Sequence, residues 1–117
     1  MKKITVYEKP TCTTCRKVSK YLEENGFDFE KINYYIEPFS KSLLKKLLKK
    51  MNMKPNDLLR KTESLYKELN VSDMSENEIL ETMLRYNDLI QRPIIEYGDK
   101  AVLARPPEIL EKFFMSN

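Results

Sequence analysis

Ile4-Thr5-Val6-Tyr7-Glu8-Lys9-Pro10-Thr11-Cys12-Thr13-Thr14-Cys15-Arg16 is the stretch whose reading decides the fold. Its β-favouring run, Ile4 to Tyr7, ends at Glu8-Lys9-Pro10 and predicts a first strand. A helix is then expected to start near Thr11 or Cys12 and to run through Val18, Tyr21 and Leu22 to Asn25, with Gly26 just past its end as a left-handed cap. Phe27 to Tyr34 alternates apolar and polar residues, the pattern of a second strand with one buried face. Strand, helix and strand at this spacing make a βαβ unit, with parallel strands and a right-handed crossover.

Beyond Glu37-Pro38 the pattern changes to helix. Leu43, Leu44, Leu47, Leu48 and Met51 form one stripe behind Ser40, a candidate N-cap. Pro55-Asn56-Asp57 starts a shorter helix expected to carry Leu58, Leu59 and Arg60. Ser75 and Glu78 make a capping-box pair ahead of Ile79, Leu80, Met83 and Leu84. Sheet returns at Pro93 to Tyr97 and Lys100 to Ala104, two β-rich runs around Gly98-Asp99 that predict an antiparallel hairpin with a type II′ turn. Pro106-Pro107 opens a last helix, buried through Ile109, Leu110, Phe113 and Phe114. The sum is one α/β domain over residues 1–117. It has a mixed four-stranded sheet, helices on both faces and a helical insertion at about 39–90, which is the thioredoxin-like arrangement.

With 117 residues, 41% hydrophobic and 33% charged, the chain is long enough to bury one core without staples. It has no apolar run of the roughly 20 residues that span a bilayer. The N-terminus lacks a signal peptide's apolar stretch, so a cytoplasmic location is expected. In that reducing compartment a close cysteine pair points to redox chemistry. A net charge of +3 is too small to argue for direct nucleic-acid binding. Between Lys41 and Lys61 eight basic residues face one acid, Asp57, and they read as the wet side of an amphipathic helix, with a docking patch as the alternative.

Cys12 and Cys15 are the two cysteines of the chain. At a helix start Cys12 meets unsatisfied N–H groups and the positive end of the macrodipole, which favour thiolate and make it the nucleophile. Arg16, one turn on, is expected to push the same way. Cys15 is the natural resolving thiol. A structural zinc site would need four ligands, and the chain has no histidine. Arg60, Arg92 and Arg105 flank turns at element ends and form a candidate cradle for an oxyanion, since guanidinium forks match such groups bidentately.

Pro10-Thr11-Cys12, Leu58-Leu59-Arg60-Lys61, Leu65-Tyr66-Lys67-Glu68-Leu69, Leu89-Ile90-Gln91-Arg92-Pro93-Ile94-Ile95 and Arg105-Pro106-Pro107-Glu108 together resemble the family of glutaredoxin-linked arsenate reductases and Spx-type regulators. The resemblance covers essentially the whole chain. It implies a thioredoxin-like fold, a cis peptide bond before Pro93, attack of Cys12 on arsenate, and an oxyanion held by Arg60, Arg92 and Arg105. No bound cofactor is implied, and glutathione and glutaredoxin complete the reduction. Two positions depart from those reductases. Glu8 stands at about the place of their histidine, and Cys15 replaces a non-thiol residue. An internal disulfide would then replace the glutathione step, leaving thioredoxin, glutaredoxin or glutathione as external reductant. The Cys-x-x-Cys itself resembles the Spx regulators, which sense oxidation and bind RNA polymerase, with Lys45, Lys46, Lys49 and Lys50 as a candidate docking face. The complete arginine set, Arg105 included, leans the expectation toward an oxidoreductase of arsenate-reductase type. An Spx-like switch and a thiol-disulfide reductase without arsenate activity are the alternatives.

Overall fold

The computed structural model describes residues 3–115. Backbone contacts group the chain into two compact units. One holds the residues up to Glu37 and those from Arg92 onward, and the other is Pro38–Gln91.

The first unit is built on β1 (Ile4–Glu8), α1 (Thr13–Glu24) and β2 (Phe29–Asn33), then β3 (Ile94–Tyr97), β4 (Lys100–Leu103) and a final helix, α6 (Ile109–Met115). The sheet order is β2-β1-β3-β4. β1 runs parallel to β2 and antiparallel to β3, and β3 pairs antiparallel with β4. The mixed four-stranded sheet is therefore as expected. All five residues of β1 are buried, as suits an inner strand. Ile4 and Val6 lie on the face that receives Val18 and Leu22 of α1 and Leu110 of α6, with Ile95 and Ala104 completing the cluster.

Helix α1 closes as the glycine predicted. The Gly26 N–H reaches the Glu23 carbonyl at 3.1 Å and the Phe27 N–H reaches that of Leu22 at 3.0 Å, the paired bonds of a Schellman motif. Gly26 has φ +74°, and a Cβ there would meet nothing within 4 Å. The cost of Gly26→Ala is thus backbone strain alone, about 1–2 kcal/mol. It should appear as a lower urea midpoint at unchanged slope. Phe27 is held by this cap, so β2 begins at Phe29 and not at Phe27. In the hairpin, Tyr97 pairs with Lys100 across Gly98-Asp99. Gly98 has φ +62° and Asp99 is not among the positive-φ residues, as a type II′ turn requires.

Two starts differ from expectation. Cys12 is the N-cap of α1, in extended conformation, and the first helical residue is Thr13. Helix α6 begins at Ile109, because Pro106 precedes another proline and is steered away from helical ψ. The two prolines supply carbonyl acceptors to the N–H groups of Ile109 and Leu110 instead.

The second unit holds α2 (Lys41–Met51), α3 (Pro55–Leu58), α4 (Ser64–Glu68) and α5 (Glu76–Arg85), with single 3-10 turns at Val71–Asp73 and Asn87–Leu89. Ser40 caps α2, and Ser75 with Glu78 forms the predicted box at α5. Leu44, Leu47, Leu48, Leu58, Ile79, Leu80 and Met83 are buried. Helix α4 has no buried residue, so it carries no apolar stripe to announce it. Leu59 and Arg60 fall beyond the end of α3. Leu59 forms an isolated bridge with Ile90, a short extended pairing inside the helical segment.

Candidate active site

The loop from β1 to α1 positions the first thiol. The Cys12 N–H donates to the Lys9 carbonyl at 2.9 Å, and the Arg16 N–H donates to the Cys12 carbonyl at 3.1 Å. The Cys15 N–H points at Cys12 Sγ, 3.4 Å away. The sulfur thus occupies the place of an N-cap oxygen, facing the donors that open the helix. Both cysteines are free thiols, Cys12 half-buried and Cys15 fully buried.

The cation beside Cys12 is Arg92, at the cis peptide bond that leads into β3. Its side chain is inside the protein, at 5% exposure. One guanidinium N–H donates to the Tyr35 hydroxyl at 3.2 Å, and the guanidinium also meets the Tyr34 hydroxyl and Cys12. Tyr34 and Tyr35 lie just past β2, with ring centroids 5.0 Å apart. Partial burial works against ionisation of Cys12. The hydrogen bonds from the Cys15 side chain and N–H and the contact with Arg92 outweigh it and hold the Cys12 thiol below its ordinary value. Burial pushes Cys15 up to about 12, aided by its hydrogen bond to Cys12. Two thiols on one helical turn are thereby driven apart, Cys12 toward ionisation and Cys15 toward the neutral thiol. Burial likewise raises Tyr34 to about 12, against the pull of Arg92.

The remaining predicted residues distribute as follows. Arg105 is exposed and donates from Nη1 to the Arg92 carbonyl at 2.9 Å. Pro93 follows the cis bond, and a second cis bond precedes Pro106. Arg16 is exposed and is not among the groups that set the ionisation of Cys12. Arg60 belongs to the helical unit, where Nη1 lies 3.4 Å from the Glu63 carboxylate. Sequence reasoning missed Tyr34 and Tyr35 as partners of the site arginine. It noticed Glu8 only as a departure from a family pattern, and the structure buries that carboxylate at 5% exposure under α1, where it accepts a hydrogen bond from Ser19 Oγ at 3.4 Å. Among the described residues no group of three or more His, Cys, Asp or Glu could hold a metal ion.

A parallel βαβ unit joined to an antiparallel hairpin and helix, with Cys-x-x-Cys at the head of the first helix, defines a redox protein of thioredoxin-like fold. The chain belongs to the ArsC family, whose sequence model matches residues 7–113. It is 32% identical over 108 residues to the arsenate reductase of Haemophilus influenzae, covering 90% of this chain and 93% of that protein. It is 29% identical over 94 residues to the global transcriptional regulator Spx of Lactiplantibacillus plantarum, covering 79% and 71%. An arsenate reductase structure from Vibrio cholerae superposes with a TM-score of 0.90 at 30% identity, over 95% of this chain and 97% of that one. No helix among the described residues is long and apolar enough to cross a membrane.

Proposed function

We propose that the chain is a thiol-dependent oxidoreductase of arsenate-reductase type, acting in the cytoplasm. The observation that carries this reading is the Cys12 sulfur set against both the α1 N-terminus and the buried Arg92 guanidinium. The Cys12 thiolate attacks the central atom of a small oxyanion, and water or hydroxide leaves. Arg92 stabilises the charge that develops, with Arg105 next to it on the Arg92 backbone. Cys15 then attacks Cys12 Sγ. The electron pair of the bond between Cys12 and arsenic passes to arsenic, which leaves as arsenite, and a Cys12–Cys15 disulfide remains. Thioredoxin, or glutathione with glutaredoxin, reduces that disulfide.

The test couples the protein to each reductant and follows NADPH. Arsenate is expected to start oxidation, and no consumption with any of these reductants overturns the oxyanion reading. Cys15→Ser is expected to abolish formation of the internal disulfide, and with glutathione as the external thiol Cys12 should accumulate as its mixed disulfide with glutathione, visible by mass. Unchanged turnover would show that Cys15 resolves nothing.

The cysteine pair and the similarity to Spx favour a second reading, a redox switch that binds RNA polymerase. Its docking face would be the exposed lysines of α2, Lys45, Lys46 and Lys49, with Lys50 beside them. A pull-down of polymerase by the reduced and oxidised forms separates the two readings, and no recovery in either state removes the second.

A further inference from the structure

Strand β1 turns Ile4, Val6 and Glu8 to one side, since side chains two apart share a face. Helix α1 answers with an inner stripe of four buried residues, Cys15, Val18, Ser19 and Leu22. Ile4 and Val6 pack on Val18 and Leu22, and this dry stripe then ends in a carboxylate. Glu8, 5% exposed, reaches Ser19 Oγ at 3.4 Å, one helical turn from Cys15, which is itself fully buried. A carboxylate kept inside an apolar layer costs stability unless it is paired and hydrogen-bonded, and the 3.4 Å bond from Ser19 is a long one. The thiol beside it is the one group in the site that has to lose a proton for the Cys12–Cys15 bond to form.

We infer that Glu8 is the proton acceptor for Cys15, so that the strand beneath the cysteine helix carries a catalytic group of its own. The inference rests on the resolving role proposed for Cys15. In the forward step the Cys15 Sγ–H bond breaks and the proton goes to the Glu8 carboxylate. The Cys15 thiolate bonds to Cys12 Sγ, and the bond from Cys12 to its adduct breaks, the electron pair leaving with the adduct. The two thiols are oxidised by two electrons and the adduct, an aryl or glutathione thiol or the arsenic of an oxyanion, is reduced by two. When an external thiolate later attacks Cys12 Sγ, Cys15 leaves as thiolate and takes the proton back from Glu8.

Electrostatics fits this task. With its pKa near 12, Cys15 holds almost no thiolate at neutral pH and needs a base. Burial raises Glu8 above the usual carboxylate range, which makes it a better acceptor, while Lys31 on β2 and the Ser19 hydroxyl favour its ionised form. From α1 the titratable neighbour is Cys15, and β3 presents Ile94 and Ile95 across from the adjoining residues of β1.

The test uses the whole chain and an aromatic disulfide whose thiolate is coloured. Attack by Cys12 releases one equivalent in a first phase. Attack by Cys15 on the Cys12 adduct releases a second equivalent. The wild-type second phase is expected to rise as Glu8 ionises and then to stay flat until Cys15 itself begins to ionise. Glu8→Gln is expected to slow it about 10²-fold relative to the first phase at pH 7, the usual worth of a general base. Its rate should then climb steadily with pH toward about 12, closing the gap. If Glu8 were a spectator charge, its removal would ease ionisation of Cys15, so an equal or faster second phase in Glu8→Gln overturns the inference. In the wild type alone, the second phase and the Glu8 carboxyl carbon shift should titrate with one midpoint, and a second phase that climbs through neutral pH without that break also overturns it. Absence of a second phase in the wild type overturns the resolving role of Cys15 itself, a different failure from a second phase that ignores Glu8.

Discussion

Arg92→Met is expected to lower arsenate turnover by about 10²–10³-fold, the usual cost of one lost oxyanion donor. It should also shift the pH profile of Cys12 alkylation upward. In the wild type the alkylation rate should rise with pH and level off below the ordinary thiol value of 9.0, because Cys12 is ionised early. Burial opposes that ionisation, and Arg92 is the side-chain cation that counters it. Without the guanidinium the thiolate fraction at any given pH falls, so alkylation at neutral pH slows and its midpoint rises. The same substitution leaves the Tyr34 and Tyr35 hydroxyls without this donor, at a stability cost of about 1–3 kcal/mol for each that stays buried and unsatisfied. Arg92→Lys separates the contributions. It keeps a charge near the sulfur but lacks the planar fork that meets the Tyr34 and Tyr35 hydroxyls and Cys12 together. Alkylation should therefore shift less than in Arg92→Met while turnover still falls. An alkylation profile in Arg92→Met identical to wild type would remove Arg92 as the group that holds the thiolate.

Leu22→Ala is expected to destabilise the fold by about 2–5 kcal/mol, a large part of the roughly 5–15 kcal/mol that a domain of this kind has. Leu22 is fully buried, packed with Ile4 and Val6 below and Leu110 of α6 beside it. Its carbonyl also receives the Phe27 N–H that closes α1. Truncation would leave a cavity lined by a strand on one side and two helices on the other, elements that cannot collapse inward without breaking the sheet register. Urea unfolding should show the loss as a lower midpoint. Leu22→Met, which nearly conserves volume, should cost less than about 1.5 kcal/mol. Equal midpoints for Leu22→Ala and wild type would mean that this cluster is not what holds α1 on the sheet.

Most of the first unit was legible because its determinants are local. Ile4 to Tyr7, a cysteine near a helix start, Gly26 and Gly98-Asp99 each act within a few residues, through side-chain period, unsatisfied N–H groups or a required positive φ. The boundaries that shifted had competing local causes, as where the Gly26 cap holds Phe27 out of β2. Helix α4 was illegible because none of its residues is buried. For the site, the pair of thiols announced itself through spacing alone. The partners did not. Tyr34 read as the end of a strand and Tyr35 as the residue after it, and nothing in their neighbourhood points to Arg92. Glu8 did leave a trace, since Ile4, Val6 and Glu8 fall on one face of β1 while Cys15, Val18, Ser19 and Leu22 fall on one face of α1. Both periodicities are in the sequence, but only docking one stripe on the other turns a charged residue at a strand end into a buried one.

By itself, then, the sequence determined the βαβ unit, the hairpin and a cysteine pair at a helix start, because hydrophobic period, capping and turn chemistry are properties of neighbouring residues. The tertiary structure decided which arginine meets Cys12, which tyrosines hold that arginine, and which carboxylate lies beneath Cys15. Those are matters of burial and of charge across packed elements, where the energy depends on distance through the fold and not on distance along the chain.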